Sequence, residues 1–308
     1  MAAEIYQQGA VSRRRSPKLQ HAIRYFFERI FPRFILILMC IIFILPFYWM
    51  IVSALKAPSE ILSIPPTLFP KEFHFENYRD AIIYIRSMPL FGNIIIPGFL
   101  RYMLNTLTIA AFAVVGAICS NSIVSYGLSR IQWEGREVLF YLVITTMFIP
   151  FPVTMIALFD IFAKFRLINT YIPLTLPYFV GSATQIFMMR QYLMGIPKEI
   201  SDAGIIDGAN EFQIFTRLIL PIMAPVIAVV AIFTAVASWN DFLTPLIYLH
   251  KEELYPISIG LQMFRSEHGL EYQLLMAASS MVALPVVITF LCFQRFFIQG
   301  ITVGAVKG

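Results

Sequence analysis

Six stretches of this chain are each long and apolar enough to cross a lipid bilayer, and no other property constrains the fold as tightly. A spanning helix needs about 20 mostly apolar residues to cover about 30 Å of hydrocarbon. Residues 34–55, 102–128, 137–159, 171–194, 218–249 and 274–297 meet that requirement. Inside hydrocarbon every backbone N–H and C=O must be satisfied by the protein itself, so such runs become helices. Composition agrees: 13% of residues are charged, where an ordinary soluble domain has about 25%. The predicted fold class is therefore all-α, a polytopic membrane protein of six transmembrane helices. Gly116, Ala117, Ser120 and Ser122 mark a face of the second run for close helix packing. Pro46, Pro150, Pro152, Pro225, Pro245 and Pro285 fall inside or at the edges of runs, and Pro173 and Pro177 interrupt the fourth. The carbonyls they free need donors from neighbours, so the six spans form a bundle.

Charge sets the orientation. Arg13, Arg14, Arg15, Lys18, Arg24, Arg29 and Arg33 crowd residues 1–33, against Glu4 and Glu28. Such a bias holds a segment in the cytoplasm. The net charge of +5 is thus a topology signal and does not point to nucleic acid. The tail has no early apolar core with a cleavage site, so no cleavable signal peptide is expected. Residues 12–33 read either as a basic helix along the anionic inner leaflet, with Ile23, Phe26, Phe27 and Ile30 toward lipid, or as a plain retention signal. Alternation puts 56–101, 160–170 and 250–273 outside, and 129–136, 195–217 and the C-terminal tail inside. Arg130 and Arg136 agree with that; Lys164 and Arg166 oppose it. The 56–101 segment is expected to be an ordered flap with a short helix over 93–100.

Several chemistries are missing. Cys40, Cys119 and Cys292 lie within apolar runs, without metal spacing, and read as buried small hydrophobes. The four histidines sit in tail or outside segments, so no metal or catalytic site is expected. Mid-span carboxylates are limited to Asp160 and Asp241, too few for a proton relay. No G-x-x-x-x-G-K-[ST] occurs, so an ATP-driven process would need its ATPase on a separate chain.

The polar segment between the fourth and fifth runs is built, not merely connecting. It carries Lys198, Glu199, Asp202, Asp207, Glu211 and Arg217. Ile200, Ala203, Ile206, Ala209, Phe212 and Phe215 recur at helical spacing. Asp207-Gly208 breaks the run, and Asn210 with Gln213 three positions later can cap a second helix reciprocally. Two short amphipathic helices with a turn at Gly208 are predicted, shaped to dock on something outside the membrane.

This segment resembles the "EAA" cytoplasmic loop of ABC importer permeases. The triplet appears as Asp202-Ala203-Gly204, the glycine as Gly208 within Asp207-Gly208-Ala209, and the closing element as Leu218-Ile219-Leu220-Pro221. Asp replaces Glu on a shorter arm, and Gly204 replaces Ala, which should soften the helix by about 1 kcal/mol. Trp239-Asn240-Asp241-Phe242 and the final Gly300-Ile301-Thr302-Val303-Gly304-Ala305-Val306-Lys307-Gly308 are similar to maltose-type carbohydrate permeases in particular. The resemblance implies a non-enzymatic permease subunit of a bacterial carbohydrate importer in the plasma membrane, with both termini cytoplasmic. It divides the chain into a basic tail (1–33), a permease domain (34–298, coupling loop 197–217) and a C-terminal tail (299–308). It implies a second homologous permease, two copies of an ATPase that binds ATP and Mg, an extracytoplasmic solute-binding protein, membrane lipid and a carbohydrate. Glu199, Asp202, Ala203, Gly204, Asp207, Gly208, Ala209, Arg217, Leu220 and Pro221 would then couple to the ATPase, with Ile200, Ala203 and Ile206 entering its cleft. The C-terminal tail, a poor independent helix, would reach into the ATPase dimer. The same machinery carrying a non-sugar or modified-sugar solute, and an ion-coupled carrier, stand as alternatives.

For the path, Asn240-Asp241 lies deep in the fifth run beside Trp239, whose ring is of the kind sugars stack on. Two readings stand: a wall of the translocation path, or a hydrogen bond to a carbonyl freed by Pro245. Asn105 has the same two, path and packing. The fifth span, leaving the loop directly, is expected to be the mover.

Overall fold

The computed structural model describes residues 24–91, 93–266 and 269–305; side chains at Phe91, 265–270 and beyond Gln294 lie outside that description. So do the basic cluster Arg13–Lys18 and the last three residues. The first long helix, α1 (Phe31–Ala54), is entered through a π-turn at Phe26–Ile30. Those apolar residues thus extend the span and do not form a separate surface helix. After it in the chain come α2 (Glu76–Tyr84) and a hairpin of β1 (Met88–Phe91) and β2 (Ile94–Ile96). The hairpin replaces the helix expected over 93–100. Three consecutive β-branched isoleucines favour a strand, and Pro97 then sits at the N-cap of the next helix.

That helix, α3 (Gly98–Ser129), is unbroken and central. It packs on α2, on the short turns Ile172–Thr175 and Leu176–Phe179, and on α6 (Ala183–Met194) and α8 (Ala224–Asn240). Between α3 and α6 lie α4 (Arg136–Thr145) and α5 (Phe151–Lys164). α7 (Glu199–Ile206) lies in the polar loop. After α8 come α9 (Leu243–Tyr248), β3 (Arg265–Ser266), β4 (Gly269–Leu270) and α10 (Tyr272–Ala305).

Three of the six predicted runs are continuous helices of spanning length: Phe26–Ala54, Gly98–Ser129 and Tyr272–Gln294. Two more are bent pairs, so the described residues hold up to five spans by that measure. The third run turns by 99° between α4 and α5, where Pro150 is the N-cap of α5 and Pro152 enters its first turn. The fifth turns by 75° before α8, with Pro225 in the first turn of α8. It then stops at Asn240 and resumes as α9. The fourth run is divided at Gly181, leaving α6 only 12 residues. Prolines remove the N–H that would carry a helix onward. Cys40, Cys119 and Cys292 are exposed on the helix surfaces, contrary to expectation. The backbone of 299–305 continues α10.

Of the four apolar cores among the described residues, the two largest hold the ends of the bundle. At the far end, Ala54, Ala81, Ile85, Met88, Phe99, Tyr102, Ile257, Phe264 and Ala277 join α1, α2, the hairpin, α3 and α10. At the loop end, Tyr126, Met189, Leu193, Ile196, Ile214, Ile219 and Met223 join α3 and α6 to the loop. α3 runs through both.

Candidate functional site

The loop has the predicted two-helix form. α7 ends in a left-handed residue, Gly208 at φ 77°. The Gly208 N–H donates to the Ile205 carbonyl and the Ala209 N–H to the Gly204 carbonyl, at 3.0 and 2.9 Å. That double closure requires positive φ at its hinge, which glycine adopts without penalty. The second helix starts with the expected capping box: Asn210 Oδ1 accepts from the Gln213 N–H, and Gln213 Oε1 from the Asn210 N–H, each at 2.9 Å.

Gly204 has a different role from the one its sequence suggested. A Cβ there would stand 2.8 Å from Leu218 Cδ1 and 3.2 Å from Ile214 Cγ1. Glycine thus lets α7 lie directly on the π-turn Ile214–Ile219. The apolar residues divide between two faces. Ile200, Ala209 and Phe215 pack inward on the loop-end core. Ala203, Ile206 (85% exposed) and Phe212 (73% exposed) point away from the protein, beside Glu199, Asp202 and Asp207. Ile200 therefore does not join the outward face, because it shares the buried side with Gly204 one turn on. Arg217 and Pro221 are exposed and Leu220 is half-buried.

Four residues that the sequence did not single out for the site fasten this loop and its surroundings. Tyr126 Oη donates to Glu211 Oε1 at 2.5 Å, and its ring lies 4.8 Å from that of Phe215. Arg130 donates to the carbonyls of Leu193 (3.0 Å), Ile196 (2.6 Å) and Pro197 (3.3 Å). Burial lowers the pKa of its guanidinium, while Tyr126, Asp202 and Glu199 favour the charged form. Buried Arg190 donates to the Leu128 carbonyl and to both carboxylate oxygens of Glu137, at 2.7 and 2.8 Å, over the Phe140 ring. A polar residue at the end of an apolar run was the only signal, and it is shared by many solvated residues.

Deeper in the bundle, the breaks in the fourth and fifth runs are satisfied by side chains. Fully buried Asn121 accepts from the Ser182 N–H at 2.8 Å and donates to Gln185 Oε1 at 2.8 Å. Gln185 in turn donates to Thr234 Oγ1 at 2.9 Å. At the other break, Asp241 Oδ1 caps α9 by accepting from the Thr244 N–H at 3.1 Å. Pro245 frees the carbonyl of Asp241 itself, and Ser258 Oγ donates to it at 2.7 Å. Neither the Asn240 nor the Asp241 side chain serves that carbonyl. Asn240 is exposed and donates to the Val236 carbonyl in its own helix. The remaining path residues are less accessible. Trp239 is 7% exposed. Buried Asn105 donates to the Glu253 and Tyr255 carbonyls at 2.8 and 2.9 Å. Asp160 pairs with Lys164 at 2.6 Å on an exposed face. Among the described residues no three His, Cys, Asp or Glu side chains cluster as metal ligands would.

This architecture has known counterparts. The family model "Binding-protein-dependent transport system inner membrane component" matches residues 122–303, more than half of the chain. The chain is 34% identical to the arabinooligosaccharides transport system permease protein AraQ of Bacillus subtilis, over 94% of this chain and 100% of the relative. It is 29% identical to the trehalose/maltose transport system permease protein MalG of Thermococcus litoralis, over 91% and 99%. A solved bacterial ABC transporter, involved in import of the acidic polysaccharide alginate, superposes with a TM-score of 0.75 at 21% identity, covering 89% of this chain and 98% of that one. The bent spans, the capped polar loop and these matches together place the chain in the family of binding-protein-dependent transport system inner membrane components, as a membrane permease of the ABC importer type and not an enzyme.

Proposed function

We propose that this permease imports a carbohydrate across a bacterial plasma membrane, with both termini and the 197–217 loop in the cytoplasm. A second, homologous permease completes the path. Two copies of an ATPase, which bind the ATP and Mg, dock on the loops, and an extracytoplasmic binding protein delivers the solute. The observation that carries this reading is the outward face of α7 and its neighbour: Asp202, Ala203, Ile206 and Phe212 exposed on helices whose inner faces are packed and capped. Large apolar side chains held rigidly at a polar surface suit a protein partner. The carbohydrate assignment is supported by the arabinooligosaccharide and trehalose/maltose relatives. Asn240 and Asp241 face the path, and Trp239 and Asn105 brace it. An ion-coupled carrier has no use for the outward loop face.

Uptake of radiolabelled arabinotriose, maltotriose and raffinose by cells with and without the gene tests this function. One of the three should lose most of its uptake on deletion, and again in Gly208→Pro and Asp202→Lys variants that remain in the membrane. Unchanged uptake of all three would reject the carbohydrate assignment. Wild-type rates in both variants would reject the docking role of the loop.

A further inference from the structure

We propose that Tyr126 and Arg130 are positioning residues that clamp the loop to α3, making α3 the rod that carries the loop's displacement across the membrane. This rests on the reading that the loop docks on an ATPase. The two residues are four apart on one helix and therefore share a face. Tyr126 holds the exit of the loop through Glu211 and Phe215. Arg130 holds its entry, at the carbonyls of Leu193, Ile196 and Pro197. Carbonyls at the end of a helix such as α6 lack intrahelical donors and carry partial negative charge, so a guanidinium is well matched to them. One helix turn thus grips both ends of the loop.

α3 then runs without a break to Gly98, about 48 Å at 1.5 Å per residue. Near its other end, Asn105 holds the Glu253 and Tyr255 carbonyls, and Thr106 Oγ1 accepts from the Ile257 N–H at 2.8 Å. A single stiff helix is therefore bonded to the loop at one end and to residues 253–257 at the other. α8, which leaves the loop directly, offers a poorer route. It is reached through the π-turn Ile214–Ile219 and a 75° bend, and it stops at Asn240. Residues at the ends of elements are where hinges take up φ/ψ change, so a bent and interrupted route can flex where a straight helix cannot. The expectation that the fifth span is the mover gives way to α3.

The test is a pulsed electron-spin distance in the assembled importer in nanodiscs. Labels go on Lys198→Cys, in the loop, and Leu107→Cys, on an exposed face of α3, with Cys40, Cys119 and Cys292 changed to alanine. The labelled but otherwise wild-type chain should give the same distance in the nucleotide-free and the ATP–vanadate states. With Tyr126→Phe and Arg130→Ala added, the distance should differ between states by about 5 Å, one helical turn. If that double variant fails to assemble, Arg130→Lys, which keeps the charge and loses the forked donors, should show a shift in the same direction. A shift of that size without the clamp substitutions, or a clamp variant whose distance is constant, overturns the inference. A complex that purifies without any ATPase overturns the docking reading instead, and is seen before any distance is measured.

Discussion

α1 and α3 are both long and apolar enough to cross a membrane, yet the chain treats them differently. In the most apolar stretch of α3, 39% of residues are buried; in that of Phe26–Ala54, 6%. α1 is large and apolar on every side, with Phe34, Leu36, Ile37, Ile41, Phe43, Ile44 and Leu45 all exposed. It packs chiefly along α10. α3 buries Ala113, Gly116, Ala117, Asn121, Ser122 and Ser125. Without a hydrophobic drive between helices in lipid, small residues that allow close approach and polar residues that bond across decide which helices pack. Hydropathy says what crosses the membrane; side-chain size and polarity say what sits in the middle.

The strongest challenge to that contrast is Asn121→Leu. It leaves the Ser182 N–H without its acceptor and Gln185 Oε1 without its donor, and each buried unsatisfied group costs about 1–3 kcal/mol. Thermal unfolding in detergent should show a loss of several kcal/mol, whereas Phe43→Ala on α1 should stay within about 0.5 kcal/mol. Equal losses would mean the two helices are not distinguished by packing.

A second test is smaller. A Cβ at Gly116 would lie 2.5 Å from the Phe179 ring, so Gly116→Ala should destabilise by about 1–3 kcal/mol. Cys40→Ala on α1 should be neutral in the same unfolding assay. A neutral Gly116→Ala would show that the α3 interface yields freely.

The smallest effect lies beyond the C-terminal end of α1. Glu60 accepts from Thr67 Oγ1 at 2.7 Å and from the Lys71 N–H at 3.2 Å, and the Thr67 hydroxyl, then that N–H, hold its carboxyl below the ordinary value of 4.5. A carboxyl depressed in the folded state contributes stability at higher pH and loses it as pH falls through its folded value. Amide exchange at Lys71, corrected for its intrinsic rate, should therefore accelerate only below pH 4.5. Glu60→Gln should exchange fast at every pH; exchange that is flat with pH in the unaltered chain would remove Glu60 as the latch.

Local rules made part of this legible beforehand. The break at Asp207-Gly208 and the Asn210/Gln213 cap follow from backbone conformation and short-range hydrogen bonds, and both are present as read. What depends on distant residues was hidden. Ile200 turns inward because Ile214 and Leu218 come to lie against Gly204, and only the fold brings them there. Pro150 and Pro225 marked places where a helix could bend, but turns of 99° and 75° are set by what the helices pack against. The residues that fasten the loop, Tyr126, Arg130, Arg190 and Glu137, are single polar side chains whose partners lie more than 50 positions away.

The central claim is that the loop face at Ile206 meets an ATPase, and one cross-linking experiment addresses it directly. A benzophenone is attached at Ile206→Cys, in a chain whose native cysteines are alanine, within membranes of cells that make the whole importer. On illumination the account predicts an adduct with a chain carrying a nucleotide-binding P-loop, absent when the same reagent is attached at Phe43→Cys on α1. No such adduct from Ile206→Cys, in a complex that still hydrolyses ATP, would contradict it.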